Sequence, residues 1–251
     1  DHRMFKDRKQ AVPLFWEELR HCARCHAIKL VGENSNSERR IVQFLDTPDW
    51  SIAANGLILR RRINQDDSQG EVQYTLKCRS PDRYFAADCE VSAAKSLQPK
   101  NKFEEDIAAP FLSRFSHSSA VRCMQETLRS LEDAAAIFPM LGRIDRDGKR
   151  CALDTELRPV NGVDACERVI TGPFLQIRDE KVETALILWS QRRKGRPLAT
   201  EFSFRYGSKS EKYSGAMAQK CMDFFMGVQR LDWCRPDGLT KTQYVYRTGR
   251  H

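Results

Sequence analysis

In Gly56-Leu57-Ile58-Leu59-Arg60-Arg61-Arg62, and again in Tyr74-Thr75-Leu76-Lys77-Cys78-Arg79, apolar and cationic residues alternate with the period of a β-strand. Successive side chains of a strand point to opposite faces, so Arg60 and Arg62 share one face, and Leu57, Leu59 and Ile63 accompany Arg61 on the other. Thr75, Lys77 and Arg79 likewise share a face of the second run. Where the two faces coincide, four cations line one surface. A solvated basic face is the plain alternative. The apolar company of Arg61 favours a sheet in which Arg60 and Arg62 are the enclosed pair.

Enclosed cations are costly unless they are paired or hold an anion, and the planar fork of Arg donates two parallel hydrogen bonds to phosphate. Such a face implies a ligand with several phosphates, or internal carboxylate partners. The sequence offers partners: Asp88 with Glu90, Glu104 with Asp106, Asp154 with Glu156, and Glu201 with Ser203 and Arg205 share strand faces.

Outward from these runs, residues 41–47 read as a preceding strand and 72–79 as a following one. Pro48-Asp49, Asn55-Gly56 and Ser80-Pro81 supply turns. Near the start, Val12, Phe15, Leu19 and Cys22 fall on one helical face. Weaker strands are expected around Cys89 and Phe103. Residues 118–138 repeat Val121, Met124, Leu128, Leu131 and Ala135 at helical spacing. Beyond them, 143–145, 151–157, 184–191 and 200–206 read as strands, with a turn at Lys194-Gly195. Met217, Cys221, Phe224, Val228 and Leu231 mark another helix, and 241–247 a last strand. The expected class is α+β, mainly antiparallel β. The expected form is one domain over 1–251, a closed or nearly closed eight-stranded tunnel-like barrel with flanking helices, its β-rich halves joined by the helical segment near 118–138.

The chain of 251 residues carries 42 Lys and Arg against 34 Asp and Glu, a net charge of +8, which permits an anionic partner without naming one. Nine cysteines at irregular spacing favour a reducing compartment over a disulfide framework. Cytoplasm is the expectation, with export after loss of a leader left open. No apolar run approaches a bilayer span, so no membrane partner is expected, and the polar Asp1-His2-Arg3 is not a signal peptide.

Other signals point less far. His21-Cys22-Ala23-Arg24-Cys25-His26 has metal-ligand spacing, but no second Cys-x-x-Cys completes a closed zinc site, so packing cysteines are expected. Arg192-Arg193-Lys194 reads as a solvated hairpin tip; with no aromatic platform beside it, nucleic acid is not the favoured ligand. Walker-type loops, nucleophile elbows and dinucleotide fingerprints do not occur.

The order of motifs resembles the CYTH superfamily, the triphosphate tunnel metalloenzymes that include thiamine triphosphatase, inorganic triphosphatase and class IV adenylyl cyclase. Asp46-Thr47, the Gly-x-x-Leu-Arg-x-Arg strand at Gly56–Arg62 and the Thr-Leu-Lys-x-Arg strand at Thr75–Arg79 carry it. The resemblance is clearest over residues 42–90. It implies an eight-stranded antiparallel tunnel in which Arg60, Arg62, Lys77 and Arg79, with Arg143 and Lys241, grip a triphosphate or polyphosphate anion. It also implies Glu90, Glu201, Asp7 and Asp154 as ligands of Mg²⁺ or Mn²⁺, and Lys77 and Glu201 as the catalytic pair. The family's opening Glu-x-Glu-x-Lys is reduced here to Phe5-x-Asp7-x-Lys9, and Glu201-Phe202-Ser203 stands where Glu-x-Glu is typical, so the acidic half is depleted while the cationic half is intact. Two functions follow from the resemblance: a metal-dependent hydrolase of a triphosphate compound, or a tunnel that binds a polyanion without turnover. A cyclase acting on ATP is a third, for which no base-recognition signature is found.

Overall fold

A computed structural model describes residues 3–33, 37–66, 70–124, 127–178, 180–192, 195–207, 214–235 and 237–247. The chain divides into two compact units, Arg40–Ala165 with Leu239–His251, and Asp1–Arg39 with Cys166–Gly238.

In the first unit, strands Ser37–Asp46, Leu57–Asn64, Val72–Ser80, Leu112–Cys123 and Lys100–Ala108 lie side by side in that order, each antiparallel to the next; Arg158–Pro159 pairs with the end of Ser37–Asp46. The alternation read from the sequence now has a physical outcome. Leu45, Leu57, Leu59, Val72, Tyr74, Leu76, Cys78 and Val121 are buried in one core with Leu131, Ala134 and Ile137 of helix Leu131–Ile137 and with Phe138, Leu141 and Ile144. Each Leu, Ile, Val or Phe side chain among them contributes about 1.5–3 kcal/mol by leaving water. That burial fixes register, since a slip of one residue would turn the whole set outward.

Several expectations are corrected here. Residues 118–138 are not one helix: Leu112–Cys123 is a strand bonded to neighbours on both sides, and the helix is only Leu131–Ile137, where the Ser130 hydroxyl accepts from Asp133 N at 3.3 Å. Val121 is an inward strand residue whose spacing to Leu128 fits a helix by coincidence. The expected strand 241–247 is the helix Lys241–Arg247. Thr240 Oγ1 accepts from Gln243 N at 3.3 Å while Gln243 Oε1 accepts from Thr240 N at 3.0 Å, a reciprocal capping box that starts the helix in spite of its β-prone Tyr-Val-Tyr. Cys89 follows helix Arg83–Asp88 rather than lying in a strand; Arg143 ends the 3-10 turn Pro139–Arg143; and 151–157 forms no strand.

In the second unit, helix Arg8–Cys25 buries Val12, Phe15, Trp16, Leu19 and Cys22 in a core shared with Met217, Cys221, Phe224 and Val228 of helix Gly215–Val228 and with Leu175, Val182, Leu186 and Leu188. Strand Glu180–Gln191 pairs with Phe174–Ile177, Pro197–Arg205 and Ala165–Thr171, and Lys29–Val31 pairs with Phe174–Ile177. Gly172 is required here, because a Cβ would lie 2.2 Å from Trp16. Gly195 stands at the expected hairpin turn with φ +60°, while Arg193 and Lys194 lie outside the described residues.

Among the described residues neither set of strands closes on itself, and the strands bonded in these open orders number 11, in place of the expected closed or nearly closed eight-stranded barrel. The α+β, mainly antiparallel class stands. Among the described residues no helix is long and apolar enough to cross a membrane.

Candidate functional site

Opposed residues of an antiparallel pair lie on the same face, so the register states which side chains meet. Arg60 opposes Thr75 and Arg62 opposes Gln73; on the next strand Lys77 opposes Ser118 and Arg79 opposes Ser116. Arg60, Arg62, Lys77 and Arg79 therefore share the face turned away from the apolar core. Arg61 belongs to the other face, donating to Gln43 Oε1 at 2.9 Å. Thr75, Ser116 and Ser118, which share this face with the cations, are buried.

The centre of the face is Asp106, from strand Lys100–Ala108. Its Oδ2 receives Lys77 Nζ at 3.0 Å, Arg79 Nη2 at 2.7 Å and the Ser116 hydroxyl at 2.8 Å, and Arg79 Nε also donates to Ser116 Oγ at 3.2 Å. Lys77 and Arg79 keep only 20% and 24% of their side-chain surface, and the Nε atoms of Arg60 and Arg62 are buried. Burial pushes the Lys77 amine below its ordinary range, and the neighbouring charges of Arg79 and Arg60 push the same way, outweighing the support of Asp106. For Asp106, burial acts to raise the carboxyl, but the charges of Lys77 and Arg79, with hydrogen bonds from Lys77 and Ser116, hold it below its usual value.

Asp106 entered the sequence reading only as one of several possible carboxylate partners, and Ser116 not at all. What places both is the long-range register of Lys100–Ala108 against Leu112–Cys123, which the local pattern does not carry.

The remaining predicted residues lie as follows. Glu90 and Arg143 face each other at 3.4 Å, with 57% and 61% of their side chains exposed. Asp154 is exposed in a turn, and Lys241 opens helix Lys241–Arg247. In the second unit Glu201 opposes Ile187 and shares its face with Ser203 and Arg205, the guanidinium of Arg205 pairing with Glu183. Asp7 stands on no strand; it caps helix Arg8–Cys25, its carboxylate accepting from Gln10 N at 3.2 Å. Cys22 is a packing residue in the helix face, and His26 ends that helix.

Mg²⁺ and Mn²⁺ take several oxygen ligands, usually carboxylates. Glu90 is engaged by Arg143, Asp7 by its cap and Asp106 by three donors. Among the described residues no three His, Cys, Asp or Glu side chains come close enough to hold an ion. Among the described residues, those present do not fit such a site.

The Asp46-Thr47 motif has a structural task. The carboxylate of Asp46, 1% exposed, accepts from Thr47 N at 2.8 Å, Ile52 N at 2.9 Å, Ala53 N at 3.0 Å and the Tyr246 hydroxyl at 3.0 Å. Burial raises its pKa in spite of these bonds. It ties the short helix Ser51–Ala54 and the helix Lys241–Arg247 to the sheet, beside a cavity of about 420 Å³ lined by Trp50, Arg158 and Asn161.

No family model and no curated protein matches the chain. Among solved structures it is similar to HpAC1, a putative adenylyl cyclase from Hippeastrum described as revealing a dominant triphosphatase activity: 11% identity, 92% of this chain and 90% of that chain, TM-score 0.46. It is also similar to a putative adenylate cyclase from Vibrio parahaemolyticus, with 11% identity, 83% of this chain and 81% of that chain, and a TM-score of 0.30.

Proposed function

We propose that the chain binds a triphosphate- or polyphosphate-type anion on the face formed by Arg60, Arg62, Lys77 and Arg79. The observation that carries this reading is the register, which gathers four cations on adjacent strands while Lys77 and Arg79 converge on one carboxylate. Cations crowded on a half-buried face oppose one another. A ligand bringing several negative charges offsets that repulsion, and each charge-assisted hydrogen bond adds about 1.5–3 kcal/mol. Buried hydroxyls of Thr75 and Ser118 share the face with the cations and offer neutral donors to phosphate oxygens. Asp106 holds Lys77 and Arg79 in place and yields part of that contact when phosphate arrives.

Metal-dependent hydrolysis, the finer reading implied by the resemblance, asks Glu90, Glu201, Asp7 and Asp154 to gather an ion. Glu90 paired with Arg143 and Asp7 spent on a helix cap argue for binding without turnover. Titration of the chain with orthophosphate, diphosphate, tripolyphosphate, ATP and thiamine triphosphate, alongside phosphate release with and without Mg²⁺ or Mn²⁺, tests the choice. Affinity rising with phosphate number and no release is the expected result. Metal-dependent release that is lost in Glu90→Gln would replace it with the hydrolase.

A further inference from the structure

Strand Lys100–Ala108 ends its sheet. It pairs with Leu112–Cys123 along one side, in unbroken register from Lys100 opposite Ala120 to Ala108 opposite Leu112, and among the described residues no strand pairs with its other side. Lys100, Asn101, Lys102, Phe103, Glu105 and Ile107 are exposed; only Glu104, Asp106 and Ala108 are partly covered. An edge of this kind presents a row of backbone donors and acceptors that templates a further strand, and proteins blunt it with a bulge, an inner proline or charged side chains, lysine above all. No bulge or proline interrupts this one, so its charges decide what can pair with it.

Its sequence specifies what would pair with it. In Lys100-Asn101-Lys102-Phe103-Glu104-Glu105-Asp106 the cations lead and the acids follow. Antiparallel pairing of two copies about Phe103 sets Lys100 opposite Asp106, Lys102 opposite Glu104, Asn101 opposite Glu105 and Phe103 opposite itself, all repeated by the two-fold axis. Moving the centre to Lys102 sets lysine against lysine; moving it to Glu104 sets glutamate against glutamate. Opposed unlike charges stabilise a strand pair and like charges destabilise it, so charge selects one register of the three.

The two faces agree with that register. Lys100, Lys102, Glu104 and Asp106 lie on one face, where Lys102 and Glu104 already stand 3.7 Å apart within the strand. On the other, Phe103, 41% exposed, stacks on Phe115 with centroids 6.3 Å apart and planes at 10°, and the Arg83 guanidinium sits 5.7 Å from its ring. Tyr84 and Phe85, next to Arg83 in sequence, are exposed as well. Pairing about Phe103 would cover that aromatic group with its own symmetry mate, one patch meeting itself as a two-fold contact requires.

We propose that this edge strand joins a second copy of the chain antiparallel, centred on Phe103, giving a two-fold dimer whose sheet runs through both copies. The inference does not depend on the phosphate reading. Sedimentation of the intact chain should show a species of twice 29.0 kDa in equilibrium with monomer. K102E sets acid against acid and E104K sets lysine against lysine, so each variant alone should dimerise about tenfold or more weakly. Mixed together they regain unlike pairs, and the heterodimer should approach wild-type strength. That rescue separates the strand pairing from loss of folding, because misfolded variants do not complement each other. A wild-type chain that stays monomeric, variants that dimerise as wild type does, or a mixture that fails to recover would each overturn the proposal. Association with an unrelated strand or with RNA while the pure chain remains monomeric would overturn it too.

Discussion

In Arg40–Ala165 and in Cys166–Gly238 alike, a sheet turns one face to helices and carries charged side chains on the other, but the two faces treat charge differently. Around Glu180–Gln191 the charged groups have local partners: Arg205 lies against Glu183, and buried Glu167 takes the neutral indole N–H of Trp189 at 2.9 Å. Around Val72–Ser80, Lys77 and Arg79 both lean on Asp106, and Arg60 adds to the positive field at Lys77. Locally matched charge holds an architecture together. Like charge gathered on a half-buried face destabilises the empty protein and suits a ligand of opposite sign.

The largest expected effect is on the cationic side. Arg60→Ala combined with Arg62→Ala should weaken tripolyphosphate binding by about 100-fold or more, at about 1.5–3 kcal/mol for each charged contact, as read by calorimetric titration. An unchanged affinity would erase the contrast between the faces. Next comes the pH dependence. The folded pKa of Lys77 lies below the free-lysine value of about 10.4, so the folded chain releases this proton first. Stability therefore rises with pH between the two values, while tripolyphosphate affinity falls over the same window because the ligand needs the charge. Lys77→Arg should remove the alkaline loss of affinity, since Arg does not titrate there.

Asp106→Asn should cost about 1–2 kcal/mol in a denaturant melt, less than a fully buried ion pair because the carboxylate is partly exposed, and saturating tripolyphosphate should restore much of it. The depressed pKa of Asp106 gives the matching pH effect in wild type: its contribution is complete above the unfolded value of about 3.9 and is lost as pH falls through the lower folded value. The smallest change belongs to the other sheet, where Glu201→Gln should move stability by less than about 0.5 kcal/mol and leave tripolyphosphate affinity unchanged. A large loss of affinity there would make the acids of Cys166–Gly238 part of the binding machinery.

The cationic face was legible because strand alternation has a period of two and needs no tertiary information: once 57–63 and 72–79 read as strands, the directions of Arg60, Arg62 and Lys77 followed. Asp106 was not singled out because its place depends on the register of Lys100–Ala108 against Leu112–Cys123, a long-range pairing on which the local pattern is silent. Residues 118–138 misled because a strand's inward Val121 and a helix's Leu131 happen to fit one helical spacing. At 241–247 aromatic and β-branched side chains argued for a strand, although Thr240 and Gln243 already spelled a capping box. Asp7 was placed by motif, whereas its local chemistry, an acid directly before Arg8-Lys9-Gln10, is that of a helix start.

The most direct test is a crystal structure of the chain with tripolyphosphate bound. Phosphate oxygens within about 2.7–3.2 Å of Arg60, Arg62, Lys77 and Arg79, with Asp106 loosened from Lys77, is the result predicted here. An anion seated elsewhere, on exposed Arg143 or at the Arg192 hairpin, with the Lys77–Asp106–Arg79 contacts unchanged, would contradict it.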